Sequence, residues 1–471
     1  MSYQSINPYT SELAAEYGNL TDIELEEKLR KAHAAFKNWR NTPFSERAEI
    51  MRRAAALLRE RREELGRINT TETGKLISVS IGENYLAAGI MDYYADHAEE
   101  YLQPHYLENP DPIIGSAVGI YQPLGIIYAV EPWNVPIYQA ARPSATQLMA
   151  GNVILLKHAS SCPQCALAME QLFLEAGLPE GCFQNLFIDY AQSAHLIADS
   201  RIVGVTFTGN SAAGRIIAAQ AGQYLKKSIL ELGGSDPMIV LPDADINKVI
   251  QGAIIGRLAI SGQVCESDKR MFIHESLYTD FLNGIRNTTA FLKAGDPLDP
   301  KTTFAPLCSR AAAEEVRAQI AKAVKHGAAA EEIGPEVPAN SAFVRITVLT
   351  DVTEDNPIFR EEIFGPVLMV FQWHNEEEML RLANATPYGL GASVYSEDPR
   401  AATRLASRLE AGMISLNQAT MSSPAVPFGG IKESGYGREL GQEGIREFTN
   451  LKYINSTTVD MRTVLTMLQT P

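Results

Sequence analysis

From residue 113 onward the chain repeats one texture, in which short apolar runs end at Gly or Pro and are followed by helical stretches. The runs are IIGSAVGIYQPLG, GIIYAVEPW, NVILLKHAS, RIVGVTFTG and PMIVLPDAD, with segments such as ARPSATQLMAG and CALAMEQLFLEAG between most of them. Breaker-flanked apolar runs read as buried strands, and strands alternating with helices predict parallel α/β layers. The alternation resumes after Cys265 and continues to about residue 430, which predicts a second α/β unit. Two or three domains suit a chain of 471 residues. Before this region, Thr21 and Glu24 form a capping-box pattern ahead of Leu25, Leu29, Ala32 and Phe36, which recur at helical spacing. The tail from 441 to 471 carries KYINSTTVDM, a polar, β-prone stretch that needs a partner strand.

Charge narrows the function classes. The 56 acidic residues outnumber 41 basic ones for a formal charge of -15, which disfavours a nucleic-acid surface. No stretch approaches ~20 uninterrupted apolar residues, so no membrane span is expected. The first residues, MSYQSINPYTSELAAEYG, lack a basic segment leading into an apolar one, so the expected location is the cytoplasm. Cysteines at 162, 165, 182, 265 and 308 suit reduced thiols better than a disulfide framework. Cys162 and Cys165 have metal or redox spacing but no second pair, so they read as incidental thiols at a helix start and no metal is expected.

Cys265 stands apart, in SGQVCESDKR, among glycine, small polar and charged residues rather than on an apolar face. A thiol with a pKa of about 8.5 needs help from its site to act as a nucleophile at neutral pH. Glu231, in KKSILELGGSDPMIV, ends an apolar run and precedes Gly233 and Gly234, which permit close approach of backbone or ligand. A partly desolvated carboxylate there suits a general base. Asn134, in EPWNVP, could aim its amide at a developing oxyanion. Each signal alone is also what a turn residue would look like.

WNVP, FTG, LELGGSDP, GQVC, EEIFGPV and PFGGIKESGYGRE stand in the order and approximate spacing of the aldehyde dehydrogenase superfamily. The chain resembles that superfamily over nearly its whole length, most closely its bacterial succinate-semialdehyde dehydrogenases. The resemblance implies a modified Rossmann dinucleotide domain over 1–106 and 126–230, an α/β catalytic domain over 231–440, and a small β oligomerisation arm from 107–125 and 441–471. It implies Cys265 as nucleophile, Glu231 as general base, and Asn134 with the Cys265 N–H as oxyanion hole. For the cofactor, no GxGxxG follows a strand; the matching phosphate region is FTGNSAAGR, with Gly209, Asn210 and Gly214 opening a helix. Trp133 and Phe364 would lie near the nicotinamide, Glu362 would hold its ribose, and Lys157 the adenosine ribose. NAD-preferring relatives usually have Glu where this chain has Ser160. Absence of that charge relieves roughly 1 to 4 kcal/mol of repulsion toward a 2′-phosphate, so NADP is the expected preference, with NAD also used.

The expected substrate is succinate semialdehyde. Arg142, in WNVPIYQAAR, matches an arginine that anchors the distal carboxylate in that subfamily, and Ser422 and Ser423, in MSSPAVPFGG, match its carboxylate-contacting loop. Two positions depart from the subfamily: Ala259 replaces a second arginine, and Glu266 directly follows the nucleophile. A broad-specificity aliphatic or aromatic aldehyde dehydrogenase is therefore the alternative. Homodimers or dimer-derived tetramers are expected, because an exposed strand edge invites symmetric pairing.

Overall fold

The structure, a computed structural model, describes residues 2–111 and 113–469. Residues 1, 112, 470 and 471, which fall within the expected dinucleotide domain and arm, lie outside the described residues. Four of the apolar runs become strands of two largely parallel sheets, whereas IIGSAVGIYQPLG, read with them as part of the parallel layers, forms the antiparallel strand Gly115–Pro123, because its partners are its hairpin neighbour and the tail strand. The first has the order Gly435–Tyr436, Lys227–Glu231, Ile202–Thr208, Ile126–Glu131, Val153–His158, Phe183–Asn185, with only Gly435–Tyr436 antiparallel. The second has the order Ala329–Ile333, Ile346–Thr350, Val367–Trp373, Asp268–His274, Asp236–Val240, Gly391–Tyr395, Met413–Leu416, antiparallel only at its first pair. Strands such as Val153–His158 and Asp236–Val240 are buried at every position, as expected for sheets covered on both faces.

A third sheet is antiparallel. Gly115–Pro123 pairs on one side with His105–Asp111 and on the other with Thr449–Ser456, so the polar tail strand finds its partner some 330 positions earlier, with Thr449 opposite Pro123. The capping box at Thr21 and Glu24 forms as the sequence predicts, with Leu25, Leu29, Ala32 and Phe36 buried.

Two helices begin deep in the protein without a side chain of their own to cap them. Pro136–Ala150 follows Val135, and Pro163–Glu175 follows Cys162. Free N–H groups at a buried helix start need acceptors, and both starts are served by glutamates from other segments. Glu83 accepts from the Ile137 and Tyr138 amides at 2.8 and 3.0 Å, and Glu72 from the Gln164 and Cys165 amides at 2.8 and 3.0 Å. Both carboxylates also meet a positive dipole end. Glu83 is further held by Asn69 at 2.8 Å and by a buried ion pair with Lys75. The paired thiols at 162 and 165 are buried at this helix start, and burial pushes both well above the ordinary thiol range.

Because Glu83 both caps a helix and balances Lys75, its removal strands a buried cation and two amides. Glu83→Ala should lower stability by roughly 3 to 5 kcal/mol, read as a lower urea midpoint; a loss below about 1 kcal/mol would show that other groups satisfy the helix start.

Candidate active site

The site lies at the carboxyl ends of the first sheet's strands, where ligands gather in open α/β folds. Opposite them runs the loop that carries Cys265. The helix Ile246–Leu258 stops at a tight turn, Ala259–Gly262, in which Ile260, Ser261 and Gly262 all take left-handed φ values of 52°, 53° and 79°. A Cβ at Gly262 would lie 2.2 Å from the Gly365 carbonyl oxygen, so only glycine lets GQVC settle on the EEIFGPV segment. Arg257, fully buried, locks the two together. It donates to Gly262 O at 3.1 Å and Ser267 Oγ at 2.8 Å on one side, and to Val367 O at 2.6 Å and Ile363 O at 2.8 Å on the other.

Cys265 is half-buried and its thiol donates to the neighbouring Glu266 carboxylate at 2.9 Å. Burial, then the negative charge of Glu266 and its hydrogen bond to the thiol, push Cys265 well above the ordinary thiol range, while Arg142 and Lys269 pull the other way. Asn134 leaves the strand Ile126–Glu131 and is brought to the same loop, where Nδ2 donates to Gln263 O at 3.1 Å. Gly234 approaches so closely that a Cβ there would stand 2.8 Å from the Cys265 carbonyl oxygen.

Glu231 ends the strand Lys227–Glu231 and is buried with neither carboxylate oxygen hydrogen-bonded among the described residues. Burial and the nearby charge of Glu439 raise it well above the ordinary carboxylate range, against the opposing pull of Arg142 and Arg438. Glu131, two strands away across Ile202–Thr208, is raised by the same two causes. Glu439 accepts from Thr206 Oγ1 at 2.8 Å and ion-pairs with Arg142. Glu131 and Glu439 both lie inside the motif stretches EPWNVP and PFGGIKESGYGRE, but a lone glutamate beside a turn offers no sequence signal for such a cluster.

A cavity of about 490 Å³ opens onto Cys265. Asn134, Tyr138, Arg142, Glu266 and Ser422 line it with Cys265. Arg142 thus reaches the expected place, yet its guanidinium is not free: it pairs with Glu439 and donates to Thr208 Oγ1 at 3.1 Å. Glu439 offsets part of the cost of burying this cation. The Ser422 hydroxyl is hydrogen-bonded to that of Tyr138, whereas Ser423 lies off the cavity wall and accepts from the Ala425 amide at 3.4 Å.

The other expected positions sit around the ends of the same strands. Lys157, on Val153–His158, is buried between the Tyr3 and Tyr190 rings, its Nζ 5.6 and 5.9 Å from their centroids, and has no ion pair among the described residues. Desolvation lowers its pKa. The Ser160 carbonyl accepts from Gln4 N at 2.9 Å. Asn210 caps the helix Ser211–Gln223 by accepting from Ala213 N at 2.9 Å, so its side chain is already committed. Gly209 donates to the Glu231 carbonyl at 3.0 Å, and Gly214 lets that helix lie against Leu232. Glu362 ion-pairs with Lys269 at 3.1 Å and accepts from Gly234 N at 3.2 Å. Phe364 meets Trp133 edge to face, 5.9 Å between centroids.

The model of the aldehyde dehydrogenase family matches residues 1–454. The chain belongs to the aldehyde dehydrogenase family. It is 43% identical over 454 residues to a succinate-semialdehyde dehydrogenase [NADP(+)] of Deinococcus radiodurans, covering 96% of this chain and 94% of that one. It is 42% identical to an aldehyde dehydrogenase of Paenarthrobacter nicotinovorans, covering 96% and 99%. Among solved structures, the succinic semialdehyde dehydrogenase of Streptococcus pyogenes in complex with NADP+ superposes with a TM-score of 0.93 at 42% identity, covering 96% and 99%. This aldehyde dehydrogenase therefore has the α/β fold the sequence implies, with WNVP and GQVC among the segments that line its cavity.

Because Glu266 holds the Cys265 proton in place, its neutralisation should release the thiol. Glu266→Gln is expected to speed iodoacetamide alkylation of Cys265 at pH 7 several-fold and move the alkylation profile to lower pH. A profile identical to that of the unaltered enzyme would remove Glu266 from the control of the thiol.

Proposed function

We propose that this aldehyde dehydrogenase oxidises succinate semialdehyde to succinate, with NADP preferred and NAD accepted as hydride acceptor. The reading is carried by one arrangement: the Cys265 thiol and the Asn134 amide meet at one cavity, and the buried Glu231 carboxyl, hydrogen-bonded to none of the described residues, lies within reach of the charge of Glu266 on the cavity wall, in a chain 43% identical to a succinate-semialdehyde dehydrogenase [NADP(+)].

In this reading the Cys265 thiol passes its proton to the Glu266 carboxylate it is hydrogen-bonded to, the resulting thiolate attacks the aldehyde carbon, and the Asn134 amide and Cys265 N–H stabilise the oxyanion. A nicotinamide cofactor held beside Trp133 and Phe364 would supply the hydride acceptor, and Cys265 would then carry the oxidised carbon as a thioester. Glu231 then accepts a proton from the hydrolytic water. A carboxyl raised by burial is better matched to proton transfer near neutral pH than an ordinary one.

The residues present fit the cofactor. Lys157 offers a buried ammonium without an ion pair, suited to ribose oxygens. Ser160 brings no negative charge against a 2′-phosphate, and Glu362 offers a carboxylate for ribose hydroxyls. Gly209 and Gly214 let the start of the helix Ser211–Gln223 pack closely on Phe207 and Leu232, and its amide ends suit a pyrophosphate; Asn210 contributes by capping that helix. Trp133 and Phe364 supply apolar edges for the nicotinamide. Arg142, with the Tyr138 and Ser422 hydroxyls, would receive the distal carboxylate. A second reading, broader specificity for uncharged aldehydes, is favoured by one observation: Arg142 already shares its charge with Glu439 while Glu266 adds a carboxylate to the wall.

The division into a dinucleotide domain over 1–106 and 126–230, a catalytic domain over 231–440 and an arm from 107–125 and 441–471 belongs to the same proposal. So do homodimers or tetramers built through the three-stranded sheet, and a place in the cytoplasm. Supporting the arm, its outer strand Thr449–Ser456 is mostly exposed, with Leu451 and Tyr453 54% and 64% accessible.

Cys265→Ala should abolish turnover while NADP still binds, as followed by protein fluorescence; retained turnover would refute the nucleophile. The proposal also expects kcat/KM for succinate semialdehyde to exceed that for butanal by on the order of tenfold or more, and equal values would favour the broader reading. Ser160→Glu should shift preference toward NAD by about tenfold or more, seen in the ratio of kcat/KM values; an unchanged ratio would sever Ser160 from cofactor choice.

A further inference from the structure

Lys269 has no part in the chemistry above, yet it is among the most buried charges in the protein. It sits on the strand Asp268–His274 with no accessible surface. An ammonium carries three N–H donors, and three acceptors receive them: Val264 O at 3.0 Å, Cys265 O at 2.6 Å and Glu362 Oε1 at 3.1 Å. Two of these acceptors belong to the nucleophile loop, and the third is the carboxylate assigned to the nicotinamide ribose. The Phe364 ring stands 5.9 Å from the same nitrogen.

The Val264 carbonyl matters most, because it is the other half of the peptide whose N–H belongs to Cys265. A hydrogen bond from a cation to a peptide oxygen draws charge along the amide and strengthens its N–H as a donor. It also fixes the plane of that peptide, and therefore the direction in which the N–H points. We propose that Lys269 is a positioning residue that orients and polarises the oxyanion-hole peptide and ties it mechanically to Glu362.

The proposal rests on the reading of Cys265 as nucleophile. It adds a coupling: whatever engages Glu362 changes how much of the Lys269 charge is turned toward the loop. By linkage, the loop must bias Glu362 in return. Burial of the ammonium is tolerable only with Glu362 beside it, which explains why a lysine here occurs with a carboxylate held against Gly233 and Gly234, where a Cβ on Gly233 would be 2.2 Å from Glu362 Oε2.

The test compares Lys269→Met, which keeps length and removes charge, with Lys269→Arg, which restores a cation. The first readout needs no cofactor: iodoacetamide alkylation of Cys265 against pH, located by mass spectrometry. Lys269→Met should alkylate several-fold more slowly with its profile moved to higher pH, because a cation beside the developing thiolate is gone; Lys269→Arg should recover much of the loss. The second readout is steady-state kinetics. For Lys269→Met kcat should fall on the order of tenfold to a hundredfold with the aldehyde KM changed by less than about threefold, the pattern of a weakened oxyanion donor.

An alkylation profile and kcat equal to those of the unaltered enzyme would overturn the proposal. Should Lys269→Met fail to fold, Glu362→Gln breaks the same ion pair from the other side. It should then move the Cys265 profile to lower pH, and an unmoved profile overturns the coupling. If alkylation of Cys265 in the unaltered enzyme leaves aldehyde oxidation intact, the assignment of the nucleophile fails instead; if oxidation is lost but Lys269→Met behaves like the unaltered enzyme, Lys269 alone is wrong.

Discussion

The site depends on a single buried guanidinium. Arg257 stands at the end of a helix and reaches four oxygens in two segments that are far apart in sequence, one carrying Cys265 and the other Glu362. Without that clamp a loop held in left-handed conformations at Ile260 and Ser261 would have little to oppose its relaxation, since non-glycine residues adopt such angles only where their surroundings impose them. Gly262 completes the arrangement by letting two backbones touch. Catalytic geometry in this protein is thus a property of main-chain packing before it is one of side-chain chemistry.

The same economy runs through the interior. Charged groups are buried where the backbone needs them: Glu83 and Glu72 at helix starts whose own N-cap residues, Val135 and Cys162, make no side-chain cap hydrogen bond; Lys269 beneath carbonyls; Arg142 against Glu439. Each costs desolvation and is offset by a partner or by several hydrogen bonds. These groups stiffen the walls on which Asn134, Cys265 and Glu362 stand, so the residues that act are few and those that hold them are many.

Much of this was legible in the sequence. The strand and helix alternation foretold two parallel sheets because buried parallel strands must be apolar throughout. The motifs singled out Cys265, Glu231 and Asn134, and the structure brings Cys265 and Asn134 to one cavity and buries Glu231. The tail KYINSTTVDM announced a missing partner. Pairings between distant charges were not legible: Arg142 signals a cation but not that Glu439 neutralises it, and nothing in SDKR reveals that Lys269 turns inward to face three acceptors. Asn210 read as a phosphate contact, yet its side chain caps a helix, because both tasks select a short polar residue at the same place. Local pattern records what a segment buries, whereas ion pairing across the fold is decided only when the sheets assemble.

The acid-rich wall around the cavity also bears on how a turnover ends. The substrate's reacting carbon enters as a neutral aldehyde, but in the proposed reaction it leaves as a carboxylate, created beside Glu266. Like charges a few ångströms apart in a partly desolvated cavity repel by roughly 1 to 4 kcal/mol, depending on the effective dielectric. The walls therefore press against the product at the moment it forms, and an enzyme whose single cavity cation is shared with Glu439 retains little to hold it back.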